Sequence, residues 1–175
     1  MTRYVALLRG IGPATHGKMP LGALADKCAA AGLLHVANVG NTGNLVFGSN
    51  KPQGEVETLV TEAVTSFGLG SEVFTRTERQ LAKLLELAPF PDAAAERPGR
   101  LGVCFFHKDP SWPKQYFDYK GPERMAMISN HLVVDYGGQI SVSRLTIEKT
   151  VGARMTQRNW SSILRIVDAV ARTGG

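Results

Sequence analysis

At 175 residues and 43% hydrophobic, the chain suits one domain or two small, intimate subdomains around a sizeable core, and no long polar tract suggests disorder. The 20 Lys and Arg exceed the 15 Asp and Glu by a net charge of +5, but they are scattered, so an anionic partner is permitted without a nucleic-acid patch being marked. Two cysteines exclude a disulfide framework, and the apolar run before Arg9 is too short for a signal segment or a membrane span, so a cytoplasmic protein is expected.

RYVALL (3–8) is an apolar run that suits a strand buried on both faces, ending at Arg9-Gly10. GIGPATHGK (10–18) is a glycine-containing loop. Pro20 suits a first helical turn; Leu21, Leu24, Ala25 and Cys28 then share one face until Gly32 ends the helix. HVANV (35–39) and NLVF (44–47) read as two strands joined through the Asn- and Gly-rich stretch between them. Val56, Leu59, Val60, Ala63, Val64 and Phe67 make the clearest helical stripe, stopped by Gly68 and Gly70. SEVFTR (71–76) is a fourth strand. Thr77 with Gln80 forms a capping-box pattern, opening a helix whose Leu81, Leu84, Leu85 and Ala88 face the core before Pro89 closes it.

The fold class expected from this order is α+β. Residues 1–90 run strand, helix, strand, strand, helix, strand, a ferredoxin-like subdomain with two helices on one face of a mostly antiparallel sheet. Residues 91–99 are expected as a linker, and 100–175 as a second, smaller α+β subdomain ending in a helix. There RLGVCFF (100–106) is a strand and 109–123 an aromatic-containing connection. RMAMIS and HLVVDY form a strand pair turned at Asn130, GGQISVS (137–143) a short extended piece, and SRLTIEKTVG (143–152) a short helix. The last helix carries Trp160, Ile163, Leu164, Val167 and Val170 or Ala171 on one face, with Thr156 as its cap.

None of the strong catalytic signatures is present: no Walker motif, G-x-S-x-G, H-E-x-x-H or paired C-x-x-C. GLGSE (68–72) leaves a helix and enters a strand, the wrong context for dinucleotide binding. His16, His35, His107 and His131 are dispersed, and Cys28 and Cys104 read as core, so neither a metal nor a cofactor is expected. Three polar segments remain. RGIGPATHGK (9–18) leaves a strand and enters a helix, where backbone N–H groups at Gly10 and the charges of Arg9 and Lys18 would suit an anion; a solvated connection is the plainer reading. In NTGN (41–44), Asn41 and Asn44 offer amides and Gly43 a close backbone approach, although a hairpin turn needs no ligand to explain it. TQRNW (156–160) crowds Arg158 and Asn159 at the start of the last helix, where an Arg opposes the helix dipole and wants a carboxylate or a bound anion nearby.

YVALLRGI near the start, GN-L-V-F at 43–47, GPER at 121–124 and TQRNW at 156–160 occur in an order that resembles the domain of unknown function 1697 family of bacterial proteins. The resemblance spans Arg3 to about Val170. It implies an α+β fold with a ferredoxin-like first half and a second α+β half, and it implies no activity. Against the family pattern this chain has Ile11, Gly12, Pro13 and Ala14 for I-N-V-G, which removes an amide side chain at Gly12. It has Asn41, Thr42, Gly43 and Asn44 for Q-S-G-N, and Ser143, Arg144 and Leu145 for S-K-L. Gln157 stands where T-T-R-N-W has its second Thr, and the stretch from Arg144 to Gly152 is shorter than usual.

These readings converge on a binding module for an anionic ligand, either a phosphate-bearing metabolite or a nucleic acid. Arg9, Lys18, Arg144 and Arg158 would supply charge, and Asn41, Asn44 and Asn159 directional hydrogen bonds. The rival expectation is an enzyme for a small polar or phosphorylated substrate, with His107, Asp109, Asp135 and Tyr136 as proton-transfer groups. A protein-interaction domain, marked by an exposed apolar patch, is a third.

Overall fold

A computed structural model of the chain describes residues 1–138 and 140–174. The chain forms two compact units, one of Met1–Leu85 joined by the chain end from Leu164, the other of Glu86–Ile163. The class is α+β, with two four-stranded antiparallel sheets.

In the first unit, β1 (Thr2–Leu8) leads through a one-turn helix, α1 (Pro13–His16), to α2 (Leu21–Ala30). Next come β2 (Leu34–Asn38), β3 (Asn44–Ser49), α3 (Gln53–Thr65), β4 (Val73–Thr77) and α4 (Glu78–Leu87). The sheet order is β2-β3-β1-β4. Strand alternation divides the central strand between two faces. Tyr4, Ala6 and Leu8 join Leu45 and Phe47 in a core with Leu24, Cys28, Val56 and Val60 of the two long helices. The other face carries Val5, Leu7, Val46 and Phe74, which are equally buried, so β1 and β3 lack the polar alternation of a half-exposed strand.

The second unit opens with α5 (Pro91–Glu96) and a 3-10 turn at Pro98–Arg100, in the stretch expected as a linker; Ala93 is fully buried there. It continues through β5 (Leu101–Phe105), α6 (Lys114–Phe117), β6 (Arg124–Ile128), β7 (His131–Asp135), α7 (Ile147–Val151), β8 (Thr156–Asn159) and the start of α8 (Trp160–Ala171), whose residues from Leu164 belong to the first unit. Instead of the extended piece expected at 137–143 there is a 3-10 turn, Ile140–Val142; Gln139 lies outside the described residues. His131 begins β7, as the strand expected from HLVVDY does, and is buried. The sheet order is β6-β7-β5-β8.

Both units therefore share one connectivity, strand, helix, strand, strand, helix, strand, and one strand order. The match extends to single residues. Val5 stands between Val46 and Arg76, as Val103 stands between Val133 and Arg158. Each of these arginines is buried and donates to backbone beside it, Arg76 to Thr75 O at 2.7 Å and Arg158 to Gln157 O at 2.9 Å. Burial pushes both guanidinium groups down to about 10, Glu57 opposing it at Arg76, so both stay charged at neutral pH.

The TQRNW segment is placed differently from the expectation. Thr156–Asn159 is a strand, so Arg158 is not in the first turn of a helix and opposes no dipole. Asn159, not Thr156, caps α8: its Oδ1 accepts from Ser162 N at 2.8 Å.

Candidate functional site

The polar segments of the first unit meet, but largely to build their own loops. Gly43 has φ +82°, and its carbonyl accepts from Leu8 N at 2.8 Å. A Cβ there would stand 2.9 Å from Ile11, so only glycine fits. Asn44 is buried and gives its amide to Val39 O at 3.0 Å and Thr42 Oγ1 at 3.2 Å, closing the turn on its own backbone. The Asn41 carbonyl lies 2.9 Å from His16 Nε2. Gly10 and Lys18 are exposed, and Arg9 is half-buried, with its backbone N–H donating to Glu72 O.

In the second unit the sequence-expected residues divide between two faces of the sheet. Gln157 faces the helices, where its Oε1 accepts from Tyr136 OH at 2.7 Å and Cys104 Sγ at 3.2 Å. Gly102 makes room for this pair, since a Cβ there would come within 2.9 Å of the Tyr136 ring. Arg158, the next residue, turns to the opposite face. Arg144 is exposed beside the cleft described below.

Asp135, expected as a possible proton-transfer group, is instead clamped. It accepts from Arg97 Nη2 at 2.6 Å and Arg124 Nη2 at 2.6 Å, while Asp92 bridges the same two arginines at 3.0 and 2.7 Å. Arg124 also lies over the Phe90 ring, 4.7 Å from its centre. The Arg97 bonds, set against burial and aided by Arg124, hold Asp135 well below the usual carboxylate range. A carboxylate so fixed is a structural tie, not a base.

The helix side of the second unit holds a cleft of about 490 Å3, with Tyr116, Tyr119, Glu123, Arg144, Thr146 and Thr150 among its walls. A second hollow of about 410 Å3 shares Leu145 and Thr146 with it and reaches Tyr136 and Gln157. Three short elements make these walls: α6 supplies Tyr116, the turn before β6 supplies Glu123, and the segment entering α7 supplies Arg144 and Thr146.

Two features of the cleft are unusual. Tyr116 is 6% exposed, and its hydroxyl is buried without a hydrogen-bond partner among the described residues. Thr150 is near enough to offset part of the upward push that burial gives this phenol, but no bond of ordinary geometry joins them. Glu123 is 7% exposed; it accepts from Tyr119 OH at 2.5 Å and Ser143 Oγ at 2.6 Å. Burial works against its charge, but the bonds from Ser143, Tyr119 and its own backbone outweigh this and hold the carboxyl below the usual range. Burial and the bond to Glu123 push Tyr119 up to about 12. Burial likewise raises Tyr136 and the Cys104 thiol, and Cys28 goes up to about 11.

Sequence reasoning missed Tyr116, Tyr119 and Glu123 because they fall in the connection 109–123, which has no periodicity to read. The place of GPER in the chain marks the family resemblance, and nothing in it shows that its Glu is buried.

Fold and cleft together define a two-unit α+β protein with a hollow of mixed polar and apolar lining in the second unit. The chain belongs to the family described as protein of unknown function DUF1697, whose model matches residues 1–132. The conserved bacterial protein SP0830 from Streptococcus pneumoniae has a similar fold, with a TM-score of 0.72 at 17% identity, covering 98% of this chain and 99% of that one. No protein of curated function matches the chain. Among the described residues no helix is long and apolar enough to cross a membrane, and no three His, Cys, Asp or Glu gather where they could hold a metal ion.

Proposed function

We propose that the protein is a small-molecule-binding module built from two ferredoxin-like units, with its ligand site in the cleft of the second unit. The observation that carries this is the Tyr116 hydroxyl, buried on the cleft wall without a hydrogen bond of ordinary geometry among the described residues. An unmet buried hydroxyl costs about 1–3 kcal/mol, and a ligand oxygen accepting from it would recover much of that. Arg144 at the same cleft favours an anionic group on the ligand. Binding is favoured over acid–base or covalent catalysis because the cleft's groups are poised away from neutral pH: Tyr119 is raised to about 12, and Glu123 is held ionised. The buried thiols are raised as well, which suits packing rather than attack. Two free, buried cysteines fit a reducing, cytoplasmic setting.

The test is a thermal-shift screen of the full chain against small metabolites that carry an anionic group, zwitterions included, with a short oligonucleotide as a separate arm. The reading expects a small molecule to raise the melting temperature of the wild type, and Arg144→Ala to weaken its binding by about tenfold. A response to the oligonucleotide alone, unchanged by Arg144→Ala and steeply salt-dependent, would overturn it.

A further inference from the structure

We infer that the ligand of this cleft is a zwitterion of amino-acid type, its ammonium held by Glu123 and its carboxylate by the Tyr116 hydroxyl and Arg144. This rests on the cleft being the ligand site and adds the ligand's class.

Three observations lead to it. The first is a buried carboxylate without a cation: Glu123 is met by two hydroxyls, and no ion pair reaches it among the described residues. Buried charges are ordinarily paired, and removing one from water is costly unless another charge answers it. Each of its oxygens accepts one side-chain bond and has a further lone pair to offer, so an ammonium can be added without breaking either bond. Asp135 is the contrast in the same unit, a buried carboxylate answered by two arginines.

The second observation has the opposite polarity. The Tyr116 hydroxyl is a donor with no acceptor among the described residues, and Arg144 is an exposed cation on the same cleft. A wholly cationic ligand would leave both unmet, and a wholly anionic one would be set against Glu123. Separate positive and negative groups on one small molecule answer all three. Ser143 binds Glu123 and directly precedes Arg144 in the chain, so the two charged sites belong to one wall.

The third observation is apolar. Val142 is 72% exposed and lines the cleft with Leu145 and Pro122. An aliphatic or aromatic side chain on the ligand would cover this surface.

The experiment is calorimetric titration of the full chain with apolar L-amino acids, each paired with the carboxylate that lacks only its amino group. The expected result is that at least one amino acid binds and its des-amino partner binds about tenfold or more weakly. That preference should vanish in Glu123→Gln. The wild-type comparison stands by itself even if this variant does not fold. Equal binding of both members of every pair overturns the zwitterion while leaving the cleft as the ligand site. So does failure of both series when another anion binds and loses affinity on Arg144→Ala. Ligand binding that ignores Arg144→Ala and Tyr116→Phe overturns the site and the ligand class together.

Discussion

Gly43 combines a left-handed backbone, φ +82°, with 2.9 Å of room before the Ile11 side chain. Gly43→Ala meets both obstacles, so a loss of about 2–4 kcal/mol is expected in urea unfolding. Gly12→Ala is the matched control: its φ is extended, nothing lies near its Cβ, and less than about 1 kcal/mol should be lost. Asp135 supplies a pH test. Its folded carboxyl ionises well below the unfolded value of about 3.9, so its contribution is complete above about pH 5 and fades as the pH falls toward the folded value. Asp135→Asn should cost about 1–3 kcal/mol at neutral pH, kept modest because Arg97 and Arg124 are 25% and 46% exposed and can turn to water. The gap between wild type and variant should narrow as urea unfolding is repeated at falling pH. A gap that stays constant to pH 2 would show that the ion network does not act through this carboxylate.

Among the elements, the start of α4 was legible to the residue, although the helix ends at Leu87 and Ala88, expected on its core face, lies outside it. Thr77 N donates to Gln80 Oε1 at 2.8 Å and Gln80 N to Thr77 Oγ1 at 3.1 Å, the capping box that their spacing announces. The long helix α3 was equally plain, because thirteen residues give the apolar stripe time to repeat. By contrast α6, with four residues, is too short to show a helical period, and α7 fills only the second half of the short helix expected at 143–152; the cleft is built from both. The start of α8 was misplaced because β8 runs directly into it, with no turn residue to mark the join. Asn159→Ala removes the observed cap and should cost about 1 kcal/mol without altering ligand affinity, since Asn159 does not line the cleft. Sheet order carries a further expectation for hydrogen exchange. The central strands β1 and β5 should protect their amides more than the edge strand β2, which is largely exposed. Faster exchange in β1 than in β2 would contradict the strand order.

At the scale of the whole chain, two units repeat one topology although the sequence shows no internal repeat. The reason is physical: sheet order and buried alternation need apolar residues at suitable places, not the same residues. What the units share is a pattern, a valine of the central strand beside a valine on one neighbour and a buried arginine on the other. The α+β class could be read because strands and long helices leave periodic signals. The cleft could not, because it depends on which isolated polar side chains become buried, a property of packing. Hence the loop residues of the first unit drew attention, although Gly43 and Asn44 are explained by their own turn, while Tyr116 and Glu123 passed as connection. The most direct test of the central claim sets these two places against each other. It is calorimetric titration of the best ligand from the thermal-shift screen into wild type, Tyr116→Phe and Arg9→Ala. Loss of about tenfold in affinity for Tyr116→Phe, with Arg9→Ala unchanged, is the expected result. Unchanged binding to Tyr116→Phe with loss in Arg9→Ala would contradict the account and move the site to the first unit.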